Sequence, residues 1–215
     1  LVEPARAVTV LENLNGISEE DAAAIKAWYA DFLTWMTTHE YGIDERDRKN
    51  NHGTCWVMQA AEFARLTGNA EIMDYCRDRY KTVLLPNQMS ADGSFHMELK
   101  RTKPYGYSLF NIDAMATVCH ILSTPEDNLW TFTLPDGRGM EQAMEFIAPY
   151  IKDKSAWPYP PDVMYWDEWP VRHPSLLFAG LALNKSGYIE LWKTLKPDPE
   201  TEEGMRNFPV REVVL

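Results

Sequence analysis

The sequence has few of the features that mark membrane proteins or disulfide-stabilised proteins. Its longest apolar run, residues 176–183, is interrupted by glycine and is far shorter than the roughly 20 residues that a membrane-spanning helix needs. It contains three cysteines with no close pair and no regular spacing, which excludes a disulfide framework and a zinc signature. We therefore expect a soluble protein with three buried free thiols: Cys55, Cys76 and Cys119.

Basic residues and clustered histidines are also scarce. The sequence has 21 Lys and Arg against 32 Asp and Glu, a formal net charge of −11, which argues against nucleic acid or an anionic membrane as a partner. A polyanionic ligand would have to meet a locally basic cleft, for which residues 46–49 and 100–103 are the candidates. The histidines are isolated from one another, so we predict neither a metal site nor a cofactor.

The length of the chain favours one domain. A chain of 215 residues with 45% hydrophobic content can bury one sizeable core. The chain begins with Leu1, and residues 4–14 have the pattern of a helix instead of a leader segment. We expect a single domain over residues 1–215 that is truncated at its N-terminus.

Helical periodicity dominates the pattern of apolar residues. Ser18 predicts a helix N-cap, because acidic residues and then a helical stripe follow it. Gly68 is expected to end a later helix, Asn69 to cap the next one and Pro86 to terminate that one. The predicted helices cover residues 4–14, 18–36, 56–66, 69–84, 107–122, 140–151, 175–183 and 188–195.

The remaining segments are predicted to be loops. Residues 39–52 lack periodicity, residues 157–170 are dense in Trp and Pro, and residues 88–105 are rich in turn formers with a short alternating part that predicts an extended segment. Many helices joined by long loops indicate an all-α fold of antiparallel hairpins, in an (α/α) toroid or an incomplete α/α barrel. No internal repeat is obvious, which argues against a regular solenoid.

The first candidate site lies at a predicted helix entrance, in Lys-Asn-Asn-His-Gly-Thr-Cys-Trp at residues 49–56. The amide of Asn51 and the imidazole of His52 offer hydrogen-bonding groups beside the positive end of a helix dipole, which is suited to holding a carboxylate. Helix capping by asparagine explains the same pattern without any function.

The second candidate site is the basic loop Lys-Arg-Thr-Lys-Pro-Tyr-Gly-Tyr at residues 100–107. Arg101 can bind a carboxylate with two parallel hydrogen bonds. Nearby cations favour the phenolate of a tyrosine, which suits Tyr107 or Tyr105 to proton transfer. A solvated loop with two core-facing aromatic residues is the alternative interpretation.

These two motifs, in this order, resemble the alginate-lyase-type polysaccharide lyases. Asn-Asn-His-Gly-Thr followed by Trp, and then Arg-Thr-Lys-x-x-Gly-Tyr-Ser-Leu-x-Asn-x-Asp, are closest to polysaccharide lyase family 38 and more distantly similar to family 5. The resemblance implies an (α/α) toroid and a carbon–oxygen lyase that cleaves a 1,4-linked polyuronate of the alginate or glucuronan type by metal-independent β-elimination. It also implies an acidic polysaccharide substrate and a periplasmic or secreted location.

The resemblance implies a role for individual residues. Asn51 and Arg101 would neutralise the substrate carboxylate, His52 would act as a base, and Tyr107 would transfer a proton. We expect further substrate contacts from Trp56, Lys103 and Tyr105. The interval from the arginine to the tyrosine is one residue longer in family 5, so Tyr105 competes with Tyr107 for the proton-transfer role.

Two other functions fit parts of the sequence. An α/α-barrel glycoside hydrolase needs a pair of carboxylates, for which Asp162, Asp167 and Glu168 are available. A non-catalytic polysaccharide-binding protein would use the same amides and aromatic side chains without a proton-transfer pair. The aromatic residues of 157–170 suit either sugar stacking or packing between helices.

Overall fold

The computed structural model describes residues 1–197, 199–202 and 205, and their regular structure is helical. The single domain predicted over 1–215 includes positions 198, 203–204 and 206–215, which lie outside the described residues. The ten α-helices of the described part are α1 (Val2–Asn13), α2 (Glu19–Thr38), α3 (Glu40–Arg46), α4 (Asn51–Thr67), α5 (Ala70–Arg79), α6 (Leu85–Gln88), α7 (Pro104–Leu122), α8 (Met140–Lys152), α9 (Pro174–Ala182) and α10 (Ser186–Thr194).

Local signals set the helix ends. The Ser18 hydroxyl accepts the Asp21 N–H at 3.0 Å and caps α2. Gly68 ends α4 with φ of 71°, a left-handed conformation that glycine adopts without steric penalty. Pro104 opens α7 at a first-turn position, where its missing N–H removes no helical hydrogen bond.

Helices α4 and α7 form the centre of the fold. Nearly every residue of α7 is buried, and the apolar face of α4 packs against it through side chains such as Trp56 and Phe63. Helices α1, α2, α3 and α5 pack on α4, whereas α8 and α9 pack on α7, and α10 packs on α9. The all-α prediction is confirmed, and the three cysteines are free thiols with Cys76 and Cys119 fully buried.

Three local predictions were wrong. Residues 39–52 contain α3, whose seven residues are too few to show helical periodicity clearly. Of the segment 88–105, residues 89–103 form turns and bends with an isolated bridge between Met89 and Phe95 instead of an extended segment. Pro86 does not end the helical path, because a π-helical turn, Tyr80–Leu84, leads into α6, where Pro86 lies in the first turn.

No helix in the described part of the chain is long and apolar enough to cross a membrane.

Candidate active site

The N-terminus of α4 is occupied by a carboxylate of the protein itself. Asn51 is 4% exposed, and its backbone N–H and its side-chain Nδ2 both donate to the Glu98 carboxylate at 2.7 Å. The first backbone N–H groups of a helix lack partners within the helix and carry partial positive charge. In this structure the helix N-terminus is therefore bonded to Glu98, a carboxylate of the chain itself.

The close approach of the chain before α4 requires a glycine. A Cβ atom at Gly53 would lie 2.3 Å from the backbone oxygen of Arg48. The segment that precedes the helix therefore folds directly over its first turn, beside the exposed side chain of His52.

His52 pairs with Glu45 of α3. Its Nδ1 lies 2.6 Å from the Glu45 Oε1, and both side chains are about half exposed, at 49% and 45%. An ionised carboxylate can only accept a hydrogen bond, so Nδ1 carries the hydrogen and Nε2 is left to take a proton. Glu45 was not predicted as a site residue because the short helix α3 that carries it shows no clear periodicity.

The turn before α7 brings together the cations and the phenol of the second motif. The Arg101 guanidinium lies 4.2 Å from the centre of the Tyr107 ring, and the Lys103 ammonium lies 5.4 Å from the same ring. Lys103 also lies 4.8 Å from the ring of Tyr165, a residue of the aromatic loop. Arg101 is exposed and Tyr107 is partly exposed, so both can meet a ligand.

A buried carboxylate caps α7 from the aromatic loop. The Asp162 oxygens accept the backbone N–H groups of Tyr105 and Gly106, each at 2.8 Å, and the residue is 6% exposed. A Cβ atom at Gly106 would lie 2.8 Å from the Asp162 Oδ2, which explains the glycine. Burial raises the pKa of Asp162, and the two N–H donors oppose that shift. Asp162 is therefore bound within the helix N-terminus and is not one of a pair of carboxylates facing a substrate.

Gln88 links the helices that carry the two motifs. Its amide oxygen accepts hydrogen bonds from Thr54 Oγ1 on α4 and Asn111 Nδ2 on α7, both at 3.0 Å. Its Nε2 donates to the backbone oxygen of Asn50 at 3.0 Å. Asn111 lies one turn beyond Tyr107, so Gln88 fixes the α4 entrance relative to the first turns of α7.

The structure contradicts the predicted substrate contacts of Trp56 and Tyr105. Trp56 is 2% exposed, and its indole N–H donates to the backbone oxygen of Met36 at 3.3 Å. Tyr105 is fully buried, its hydroxyl donates to the backbone oxygen of Tyr150 at 3.1 Å, and burial raises its pKa. Neither side chain offers a surface to a substrate, and the Tyr105 hydroxyl is already bonded within the core.

Three surface depressions lie on different parts of the molecule. A pocket of about 20 Å³, enough for one water molecule, lies beside Tyr107 and includes Tyr165 in its lining. An open groove of about 570 Å³ runs past His96, Lys100 and Tyr159. A largely apolar groove of about 850 Å³ between α8 and α10 contains none of the predicted site residues.

The part of the chain that the structure describes holds no group of three His, Cys, Asp or Glu residues able to bind a metal ion.

Comparisons with known proteins agree with the resemblance seen in the two motifs. The family model for alginate lyase matches residues 2–157, which include both motifs. A crystal structure of an alginate lyase from Bacteroides ovatus is similar to this chain, with a TM-score of 0.78 and 29% identity, over 97% of this chain and 55% of that one. This chain therefore spans about half of the length of that protein. No curated protein gives a significant match. The chain belongs to the alginate lyase family.

Proposed function

We propose that this chain carries the catalytic residues of a lyase that cleaves a 1,4-linked polyuronate by β-elimination without a metal ion. The observation that carries the proposal is the second motif, in which the Arg101 guanidinium lies 4.2 Å from the Tyr107 ring. The first motif supplies the amide of Asn51 and an imidazole held at Nδ1 by Glu45. Family membership and the similar alginate lyase structure support the same reaction class.

β-Elimination explains why these residue types occur together. A base removes the C5 proton of a uronate, the C4–O bond breaks, a C4=C5 double bond forms, and the leaving oxygen takes up a proton. Loss of the C5 proton places a second negative charge on the carboxylate group. Hydrogen-bond donors and a cation stabilise that charge most effectively when they are already in position, and one such donor contributes about 2.7–4 kcal/mol.

The roles follow from the chemistry of each side chain. His52 Nε2 takes the C5 proton, Tyr107 protonates the leaving oxygen, and Arg101 binds the carboxylate. The Asn51 amide has two N–H donors, of which Glu98 takes one, and we assign the second to a substrate oxygen. Lys103 adds positive charge beside the Tyr107 ring.

A polyanionic substrate suits the local charge in spite of the net charge of −11. Arg101, Lys100 and Lys103 lie on one turn, and Lys100 continues the basic surface into the groove that includes His96 and Tyr159. We propose that neighbouring sugars of the polymer occupy this groove. An alginate or glucuronan polymer outside the cytoplasm is the proposed substrate, with the protein periplasmic or secreted as its family resemblance implies.

The test is the ultraviolet absorbance of the unsaturated product on mixing the protein with alginate, polymannuronate, polyguluronate or glucuronan. The absorbance should rise, should survive a chelator, and should be abolished by Tyr107→Phe but retained by Tyr105→Phe. Reducing ends without absorbance would identify a hydrolase, and binding without either product would identify a non-catalytic protein. Loss of the signal in Tyr105→Phe with retention in Tyr107→Phe would overturn the assignment of the proton donor.

A further inference from the structure

Glu98 is a buried carboxylate that belongs to neither motif. It is 0% exposed, and both of its oxygens are bonded to one residue: Oε1 to the backbone N–H of Asn51 and Oε2 to the Asn51 Nδ2. The two residues are 47 positions apart in the chain. A carboxylate held in this way positions both the backbone and the side chain of the residue that donates to it.

Glu98 is also tied to the second motif. Its backbone oxygen accepts the N–H of Arg101 at 3.0 Å, so one residue contacts Asn51 through its side chain and supports the Arg101 turn through its backbone. Burial raises the pKa of Glu98, whereas the two N–H donors of Asn51 and the charge of Arg101 oppose that shift. Asn51 and Arg101 are the two residues assigned to the substrate carboxylate.

We propose that Glu98 is a positioning residue, which fixes the orientation of the Asn51 amide and its spacing from Arg101; this inference rests on the proposed function. An amide group can turn over and exchange its oxygen for its nitrogen. An ionised carboxylate can only accept hydrogen bonds, so the Asn51 nitrogen has to face Glu98. The second N–H of that nitrogen is then held in one direction before the substrate binds.

The chain offers a matched control in Glu62. This second glutamate is also 0% exposed, but it lies three turns further along α4 and pairs with Arg65 at 2.6 Å. Glu62→Gln also removes the charge of a buried carboxylate, but it changes no contact of Asn51. The difference in kcat between the Glu98 and Glu62 variants is therefore the effect that is specific to Glu98.

The decisive variant is Glu98→Gln, which keeps the shape of the side chain but replaces one acceptor by a donor. The new amide nitrogen can bond to Asn51 only if the Asn51 amide turns over and presents its oxygen. We expect kcat to fall by about tenfold to a hundredfold, the scale of a misplacement of about 1 Å at a catalytic group, with a much smaller change in KM. Glu62→Gln should leave both constants unchanged.

A double-mutant cycle distinguishes positioning from a general loss of structure. If Glu98 acts through Asn51, Glu98→Gln should reduce kcat in the wild-type background and have little further effect in an Asn51→Ala background. Equal fold losses in the two backgrounds would overturn the proposal, as would full activity of Glu98→Gln. If Glu98→Gln does not fold by circular dichroism, Glu98→Asp replaces it, because it keeps the charge but is too short to retain both bonds.

An NMR measurement tests the contact independently of catalysis. The side-chain amide signals of Asn51, identified by their loss in Asn51→Ala, should exchange slowly with solvent in the wild type, faster in Glu98→Gln, and unchanged in Glu62→Gln. Unchanged Asn51 signals in Glu98→Gln would overturn the positioning role. A wild-type protein that gives no unsaturated product from any polyuronate would instead overturn the proposed function.

Discussion

Replacing Asp162 tests whether this carboxylate is a helix cap or a catalytic acid. Asp162→Ala leaves the backbone N–H groups of Tyr105 and Gly106 without their acceptors, each of which now lies 2.8 Å away. A hydrogen bond to a charged group contributes about 1.5–3 kcal/mol, and loss of a helix cap costs about 0.5–2 kcal/mol. Because the two values describe overlapping interactions, we expect a loss of about 3 kcal/mol in the free energy of unfolding.

The assay combines thermal unfolding with the rate of product formation. For a chain of this size, a loss of about 3 kcal/mol corresponds to a decrease in Tm of about 6–12 °C. Asp162→Asn keeps one oxygen acceptor and should lower Tm by about half as much. Tyr107 follows the capped residues directly, so kcat should also fall, by about tenfold in Asp162→Ala. Asp167→Asn, at an exposed position of the same loop, should change neither quantity.

An Asp162→Asn protein with the wild-type Tm and no activity would show that Asp162 does not act as a helix cap. That combination is the behaviour of a catalytic acid, and it would support a hydrolase. An unchanged Tm in Asp162→Ala would also show that the two hydrogen bonds do not stabilise the N-terminus of α7.

Three further predictions follow from the other titratable groups. Glu45→Ala should lower kcat by about tenfold to a hundredfold, because it removes the acceptor that orients His52; an unchanged kcat would exclude this role. Burial raises the pKa of the Cys55 thiol to about 12, so iodoacetamide at pH 8 should not inactivate the protein; rapid inactivation would contradict the burial. Burial also raises the pKa of Glu62 above its ordinary value of 4.5, so this residue binds more protons in the folded state than in the unfolded state, and its contribution to the free energy of unfolding should fall as the pH rises above about 4.5. Glu62→Gln should reduce that slope in urea titrations at several pH values, and identical slopes would refute the assignment.

The sequence predicted the long helices because each presents a clear apolar stripe to the core. Residues 2–13, 19–38 and 140–152 are helices close to their predicted bounds. The short helix α3 was missed because two turns show too few apolar repeats. The prediction that α7 begins at residue 107 instead of Pro104 had a larger effect, because it left part of the second motif outside the helix.

The two tyrosines of that motif illustrate the difficulty. Successive residues of an α-helix are rotated by about 100°, so Tyr105 and Tyr107 point about 200° apart once both lie in α7. One ring therefore enters the core while the other faces Arg101. A prediction that begins the helix at residue 107 leaves Tyr105 in a loop, so the two rings cannot be assigned to opposite faces of one helix.

The carboxylates of the site could not be predicted from local pattern. Glu98 and Asp162 lie far along the chain from the groups that they bind, at separations of 47 and 57 residues. No periodicity or motif indicates which of the 32 acidic residues meets which helix end. For Trp56 the local pattern was misleading, because a tryptophan beside the first motif suggests a side chain that stacks on a sugar, whereas this side chain is buried.

The long separations of the Asn51–Glu98 and Tyr105–Asp162 links have a consequence for the order of folding. Closing a long chain segment reduces its entropy before the contacts it brings can compensate, so such contacts tend to form late. Individual helices form from local interactions and need neither link. In refolding experiments, the far-ultraviolet signal of the helices should therefore recover before enzymatic activity does.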